Sequence, residues 1–415
     1  MEISMEKRRY GILSLPVIVG SLGYFVDIYD LLVFVIIRKP SLQALGLNPQ
    51  QVVAQGENIL GWQMIGLLAG GILWGVLGDK HGRLRVLFGS ILLYSIANFA
   101  TGFVTNVTQY TILRVVGGIG LAGELGAGIT LVAELLPKEK RGISTTLVAS
   151  LGLFGAAFAF FVSQRFGWRQ CYYVGGGLGL LLLLLRVSVL ESEMFKSTAG
   201  KKGVSRGNFI AFFTNWVRFR KYMMTILIGL PTWFIVGILI AFCDQFGAKM
   251  GIAGVISPGK AIMYAYIATA FGGVAIGLLS QVLKSRKKAL VIFYLLTTLS
   301  IALFFLQGLG WGSVASMYCI CGAMGFAQGF WSIFVTIGAE QFGTNLRATA
   351  ATTIPNMVRG SLWLIIALFR LLRTETGSYL SGGWIAAVIV MAVGFMAIYF
   401  TEETFHKDLD YLETP

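Results

Sequence analysis

From about residue 10 to residue 400 the chain is a succession of apolar runs, each near 20 residues long and none alternating as a β-strand would. The runs fall at about 10–37, 57–78, 84–104, 109–135, 142–163, 170–190, 221–244, 258–282, 289–307, 312–338, 348–372 and 382–400. A bilayer core is about 30 Å thick, so a helix crosses it in roughly 20 residues. Only helices and closed barrels can cross, because every backbone polar group needs a partner within the spanning structure. Runs of this length and pattern predict helices. Composition agrees: 56% of residues are hydrophobic and 13% charged, against about 25% charged in a soluble domain. The expected fold class is an all-α membrane protein with twelve transmembrane helices.

Lysine and arginine set the orientation. With the N-terminus inside, the inner segments hold about 23 of the 33 basic residues, Arg186 among them, and the outer segments about 8. The remaining two, Arg114 and Arg359, fall inside helices. Basic residues accumulate on the cytoplasmic side. Both termini are therefore expected in the cytoplasm, and the protein in the plasma membrane, which for a bacterium is the inner one. This distribution accounts for the net charge of +14 without nucleic acid, which would need a basic groove or interleaved aromatics. Cys171, Cys243, Cys319 and Cys321 have neither metal nor disulfide spacing and read as small core residues. The first run is longer than a signal-peptide core, and no small-residue cleavage site follows it.

The two halves repeat. After the second run comes Gly75-Val-Leu-Gly-Asp-Lys-His-Gly-Arg-Leu-Arg85, and after the eighth Gly277-Leu-Leu-Ser-Gln-Val-Leu-Lys-Ser-Arg-Lys287. Glu134 follows the fourth run, with Arg141 seven residues on; Glu340 follows the tenth, with Arg347 again seven on. Parallel repeats of this kind imply two pseudo-symmetric six-helix bundles with a site between them near the midplane. The expected organisation is a first bundle over 1–190, a cytoplasmic loop over 191–220, and a second bundle with a short tail over 221–415.

The run GVLGDKHGRLRVL resembles the loop motif of the major facilitator superfamily, and Arg114-Val-Val-Gly-Gly-Ile-Gly-Leu-Ala-Gly123 its fourth-helix motif. Within it, GGIGLAGELGAGITLVAELLPKEKRG, Asp27-Ile-Tyr-Asp-Leu31 and Glu191-Ser-Glu-Met-Phe195 resemble the metabolite:proton symporter family. Asp27, Ile28 and Gln281 depart from its pattern of Glu, Trp and Asp. The resemblance implies the major facilitator fold and a gating role for Asp79, Arg83, Glu134, Arg141, Glu340 and Arg347. Asp79 would accept from a neighbouring helix start and pair with a loop arginine such as Arg141, holding the halves in one access state. The fifth helix lacks the proline carried by proton-coupled drug antiporters of the superfamily, which argues against drug efflux.

Five charges lie well inside helices: Asp27, Asp30, Arg114, Glu124 and Arg359. Each would cost about 2.5–3.5 kcal/mol facing lipid, so they must pair, protonate or line water. Helix rise puts Asp30 level with Arg114 and Asp27 within reach of Glu124. The expectation is an Asp30–Arg114 ion pair above an Asp27/Glu124 acid pair. Two adjacent buried acids can share a proton, with Glu124 the first candidate carrier and Asp27 the next. A purely structural ion network is the alternative. Arg359 has no acid partner inside its own half, where Asp244, Glu340 and Glu375 all lie near the membrane ends, which suits a ligand carboxylate or phosphate; pairing across the halves with Asp27 or Glu124 is the other possibility. Asn356, Gln328, Trp331, Tyr264 and Trp233 are further candidates to line the site.

The function expected is secondary transport: proton-coupled uptake of a small polar metabolite, carboxylate-bearing, by alternating access. The proton is the coupling ion, with sodium also open; no metal or other cofactor is expected. The partners are the substrate and the bilayer, and the protein is expected to be a monomer. A facilitator or antiporter for sugars or amphipathic compounds is the second reading. A ligand sensor would want an added cytoplasmic domain. An enzyme would want a serine–histidine or metal constellation, and ATP-driven transport a GK[ST] loop.

Overall fold

The computed structural model describes residues 15–81, 83–135, 138–193 and 209–405. The first bundle is α1 (Leu15–Ala44), α2 (Pro49–His81), α3 (Arg83–Thr101), α4 (Val107–Leu135), α5 (Lys138–Arg165) and α6 (Trp168–Glu193). The second is α7 (Trp216–Ile240), α8 (Pro258–Val282), α9 (Arg286–Leu306), α10 (Val314–Glu340), α11 (Thr344–Gly360 continued by Leu362–Thr376) and α12 (Tyr379–Phe400). Among the described residues, eight helices are long and apolar enough to cross a membrane.

Local chemistry sets the ends. Pro258 opens α8 behind the Ser257 cap, and Ser313 opens α10 with a reciprocal capping box to Ser316, satisfying backbone N–H groups that the first turn leaves free. Gly377, at φ +62°, ends α11 in the left-handed region that suits glycine. α1 runs past its expected end at 37, through Arg38 and Lys39. Both are held there by a partner from the other bundle, described below.

In the first bundle α1 packs on α4, α5 and α6, and α3 on α4 and α6; in the second α8 packs on α10, and α7 on α11 and α12. The bundles meet where α2 faces α11 and α5 faces α8, with smaller contacts of α11 on α4 and α8 on α1. The main contact pairs, α2 on α11 and α5 on α8, are exchanged by the internal repeat. The surface where the bundles meet is thus formed mainly by α1, α2, α4, α5, α8 and α11.

α8 and α10 cross at Gly272 and Gly329, where an added Cβ at either would run into backbone of the other helix. Backbone cannot give way as a side chain can, and overpacking costs about 1–3 kcal/mol. Gly329→Ala is expected to lower the melting temperature in detergent by several degrees. Gly277→Ala, facing open space, is expected to leave it unchanged.

Candidate functional site

Buried charge is strung along α1. Gly23, Asp27 and Asp30 follow one another at about 6 and 4.5 Å of rise, and each meets a different arginine neighbourhood. At the first level a Cβ on Gly23 would strike both Glu124 of α4 and Arg186 of α6. These two form a two-pronged pair: Arg186 Nη1 donates to Glu124 Oε2 at 3.0 Å and Nη2 to Oε1. One turn on, Asp27 is fully buried and its Oδ2 accepts from Arg359 Nη2 of α11 at 3.3 Å. At the third level lies Asp30, also buried.

Two expected pairings are therefore corrected. Asp27 and Glu124 do not bond to one another; each is matched by an arginine, although the Glu124 charge reaches Asp27. Asp30 and Arg114 do not form an ion pair either. Arg114 Nη2 donates to Asn98 Oδ1 at 2.6 Å and Thr101 Oγ1 at 3.0 Å, and its guanidinium lies 4.5 Å from the Tyr172 ring centre. α3 supplies these neutral acceptors, and they compete successfully for the cation. Neither Asp30 oxygen makes a hydrogen bond of good geometry, although the Asn98 side chain and the Arg114 charge lie near it. Gly175 of α6 gives the carboxyl its room, since a Cβ there would overlap Asp30 Oδ1.

Arg186 is the residue that sequence reasoning misplaced. It was counted among the inner basic residues, yet it is buried in α6. Its signal was a lone arginine inside Leu180-Leu-Leu-Leu-Leu-Leu-Arg-Val-Ser-Val-Leu190.

Arg359 pairs across the halves, which was the alternative to a free anion site, but the pairing is partial. Its Nε and Nη1 donate to nothing, and Asp27 Oδ1 accepts nothing. Tyr24 and Tyr266 lie in the field of this pair, and Trp331 lies against the Tyr24 hydroxyl. Trp233 Nε1 and Gln328 Nε2 are buried donors without acceptors. Asn356 Nδ2 ties α11 to the first bundle through the Ala122 carbonyl at 3.0 Å, leaving its Oδ1 unpaired. Tyr264 does not belong to this centre: it is 40% exposed, beside Lys260 and Tyr318. Tyr266, two residues on along α8, takes its place. Among the described residues no cluster of His, Cys, Asp and Glu could hold a metal ion.

The Major Facilitator Superfamily sequence profile matches residues 20–368. The chain belongs to that superfamily. A protein of Bacillus subtilis named, provisionally, the niacin/nicotinamide transporter NiaP is 28% identical over 81% of this chain and 82% of its own. The niacin transporter NiaP of Acinetobacter baylyi is 30% identical over 44% of this chain and 42% of its own. The 4-hydroxybenzoate transporter PcaK of Pseudomonas putida is 33% identical over 32% of this chain and 31% of its own. The latter two matches thus span less than half of those relatives. Among solved structures, the proton:xylose symporter XylE superposes with a TM-score of 0.69 at 17% identity, over 95% of this chain and 97% of that one. The superfamily and these relatives are transporters, not enzymes.

Of the residues expected to gate, the side chains of Asp79, Arg83, Glu134, Arg141 and Arg347 lie outside the described residues. Glu340 is described. It accepts from Arg286 at 3.3 Å and from the Thr404 hydroxyl at 2.7 Å, so within the second bundle it ties the start of α9 to the segment after α12. Glu403 completes that tie by accepting from the Arg286 and Lys287 backbone N–H groups at 2.9 and 3.1 Å. Burial alone would push the Glu403 carboxyl up, but the Ser285 hydroxyl and these N–H groups hold it below the usual range.

The Glu124–Arg186 pair carries its own prediction. Removing one member of a buried ion pair costs about 3–5 kcal/mol, because the other charge is left uncompensated. Glu124→Gln is expected to lower the melting temperature more than any neutral substitution at that level. Glu124→Gln combined with Arg186→Met is expected to recover most of the loss.

Proposed function

We propose that this superfamily member imports a small aromatic carboxylate together with one proton, with the chain termini in the cytoplasm of a bacterial cell. The observation that carries the reading is Arg359: a buried arginine between the bundles with two donor nitrogens free and one long contact to Asp27. A carboxylate fits such a fork bidentately. Tyr24, Tyr266 and Trp331 supply flat apolar walls beside it. The names of the Acinetobacter NiaP and the PcaK relatives point to the same ligand class, and that of the Bacillus NiaP adds nicotinamide, the uncharged amide, to it.

The proton goes to Asp30. A buried carboxylate without a cation in contact is the least tolerable group in a low dielectric when ionised; Glu124 and Asp27 have arginines in direct contact, whereas Asp30 has Arg114 and Asn98 only nearby. This moves the carrier from Glu124, the first expectation, to Asp30. Charge arithmetic then gives coupling. The buried centre holds three acids (Asp27, Asp30, Glu124) and three arginines (Arg114, Arg186, Arg359), so the empty, unprotonated carrier sums to zero. A proton on Asp30 makes it +1, and a bound monocarboxylate returns it to zero. The half-loaded forms carry an unmatched charge through the occluded state, costing on the order of 2.5–3.5 kcal/mol. Only the empty and the doubly loaded carrier cross readily.

A thermal-shift panel tests the ligand class: nicotinate, 4-hydroxybenzoate, their uncharged amide or ester analogues, and xylose, on the purified protein. A ligand at a hundred times its dissociation constant stabilises by about 2.7 kcal/mol. Stabilisation by the acids alone is expected. Stabilisation by xylose or the neutral analogues, with the acids inert, would remove Arg359 from ligand binding.

A further inference from the structure

At the end of the bundles opposite Leu15 and Phe400, α7 does not continue smoothly. It winds as a π-helix over Ile235–Ile240, leaves helical geometry at Phe242, and restarts as Cys243–Lys249. A break of this kind leaves carbonyls without an in-helix donor. The Ala241 carbonyl is satisfied from the other bundle, by Arg38 Nη1 of α1 at 2.9 Å. The same guanidinium reaches Asp244 at 3.3 Å and lies 4.0 Å from the centre of the Phe242 ring. Lys39 Nζ meets the second Asp244 oxygen at 2.6 Å. Arg38 is 2% exposed, and Gly56 of α2 leaves room for its stem. One residue on, Glu57 is buried with Arg370 Nε at 2.8 Å and Arg373 Nη1 at 3.0 Å, both from α11.

We infer that these two cross-bundle clusters, Arg38 and Lys39 on Asp244 and Arg370 and Arg373 on Glu57, are the paired latches of the outer gate, the first seated in the break of α7. The inference rests on the orientation and the carrier cycle proposed above. The two latches carry opposite polarity: the first bundle gives cations to α7 and an acid to α11. Opening this end must part α1 from α7 and α2 from α11, so both latches break in one motion. Ion pairs suit that task better than an apolar seal. Their attraction when buried is nearly offset by the hydration they recover when exposed, so the gate closes in one register yet reopens. Burial alone would push the Asp244 carboxyl up, but Arg38 and Lys39 hold it below the usual range. Its pairing is complete above about pH 4 and is lost only as pH falls through that lowered value. The latch therefore keeps its charges at neutral pH.

Cys243 is a native reporter, fully buried beside Asp244. The test uses the full chain with Cys171, Cys319 and Cys321 changed to Ser, in intact cells, with a membrane-impermeant maleimide and no substrate. Slow labelling is expected in this parent, rising about tenfold or more in Asp244→Asn and in Glu57→Gln, and further in the double variant. Melting temperatures within a few degrees of the parent show that the variants are folded; should one unfold, the other carries the test. Parental labelling rates in folded variants, with prompt labelling after denaturation, would overturn the latch. Because no ligand enters the assay, a wrong substrate class cannot produce that result.

Discussion

Arg359→Ala is expected to lose uptake by about two orders of magnitude, lose stabilisation by any carboxylate, and melt earlier than the parent. Two effects combine. The substrate loses its bidentate partner, and Asp27 is left as a buried, uncompensated charge at a cost of about 3–5 kcal/mol. They separate in the double variant Asp27→Asn with Arg359→Met, which removes both charges. Its melting temperature should return most of the way, while uptake stays lost. Arg359→Lys keeps the charge but not the planar fork, and is expected to fold and bind about tenfold or more weakly. The readouts are uptake of a labelled aromatic carboxylate and melting temperature with and without it. Uptake retained in the double variant would assign Arg359 to the scaffold.

Asp30→Asn should divide transport into its halves. The side chain is isosteric, and its amide oxygen can still face Asn98, so the melting temperature should hold. An amide cannot release a proton, so the variant stands as if always protonated. The loaded carrier then sums to zero and still crosses, but the empty carrier sums to +1. Returning empty should slow by roughly 60- to 400-fold, from about 2.5–3.5 kcal/mol. Exchange of internal for external carboxylate is expected to continue within about threefold of the parent, while net uptake driven by a pH gradient fails. Equal loss of exchange and net uptake would take the proton away from Asp30.

The twelve helices were legible because a bilayer imposes a length and a hydrophobicity that few other structures need. Asp27, Asp30, Glu124, Arg114 and Arg359 stood out for the same reason, as charges where lipid permits none. Their partners did not. Helix rise gives depth but no rotation, so Asp30 and Arg114, level with each other, were expected to pair; Asn98 and Thr101 on α3, neutral and inconspicuous, hold the arginine instead. Arg186 escaped because it lies near the end of its run, where a basic residue ordinarily marks the cytoplasmic boundary. Tyr264 and Tyr266 differ by two residues, about 200° of helical rotation; nothing in the sequence says which faces Arg359. Arg38, Glu57 and Asp244 sit at helix ends, where charge is unremarkable, and only the packing of one bundle against the other reveals that they are buried.

The central claim, that one proton offsets one carboxylate and leaves the moving centre neutral, is tested most directly in proteoliposomes with the two driving forces imposed separately. The reading predicts that an inward pH gradient alone accumulates the aromatic carboxylate, and that a membrane potential alone, set by a potassium gradient with valinomycin at equal pH, does not. Accumulation driven by the potential alone would mean that net charge crosses with the substrate, and the six-charge centre would not be the coupling device.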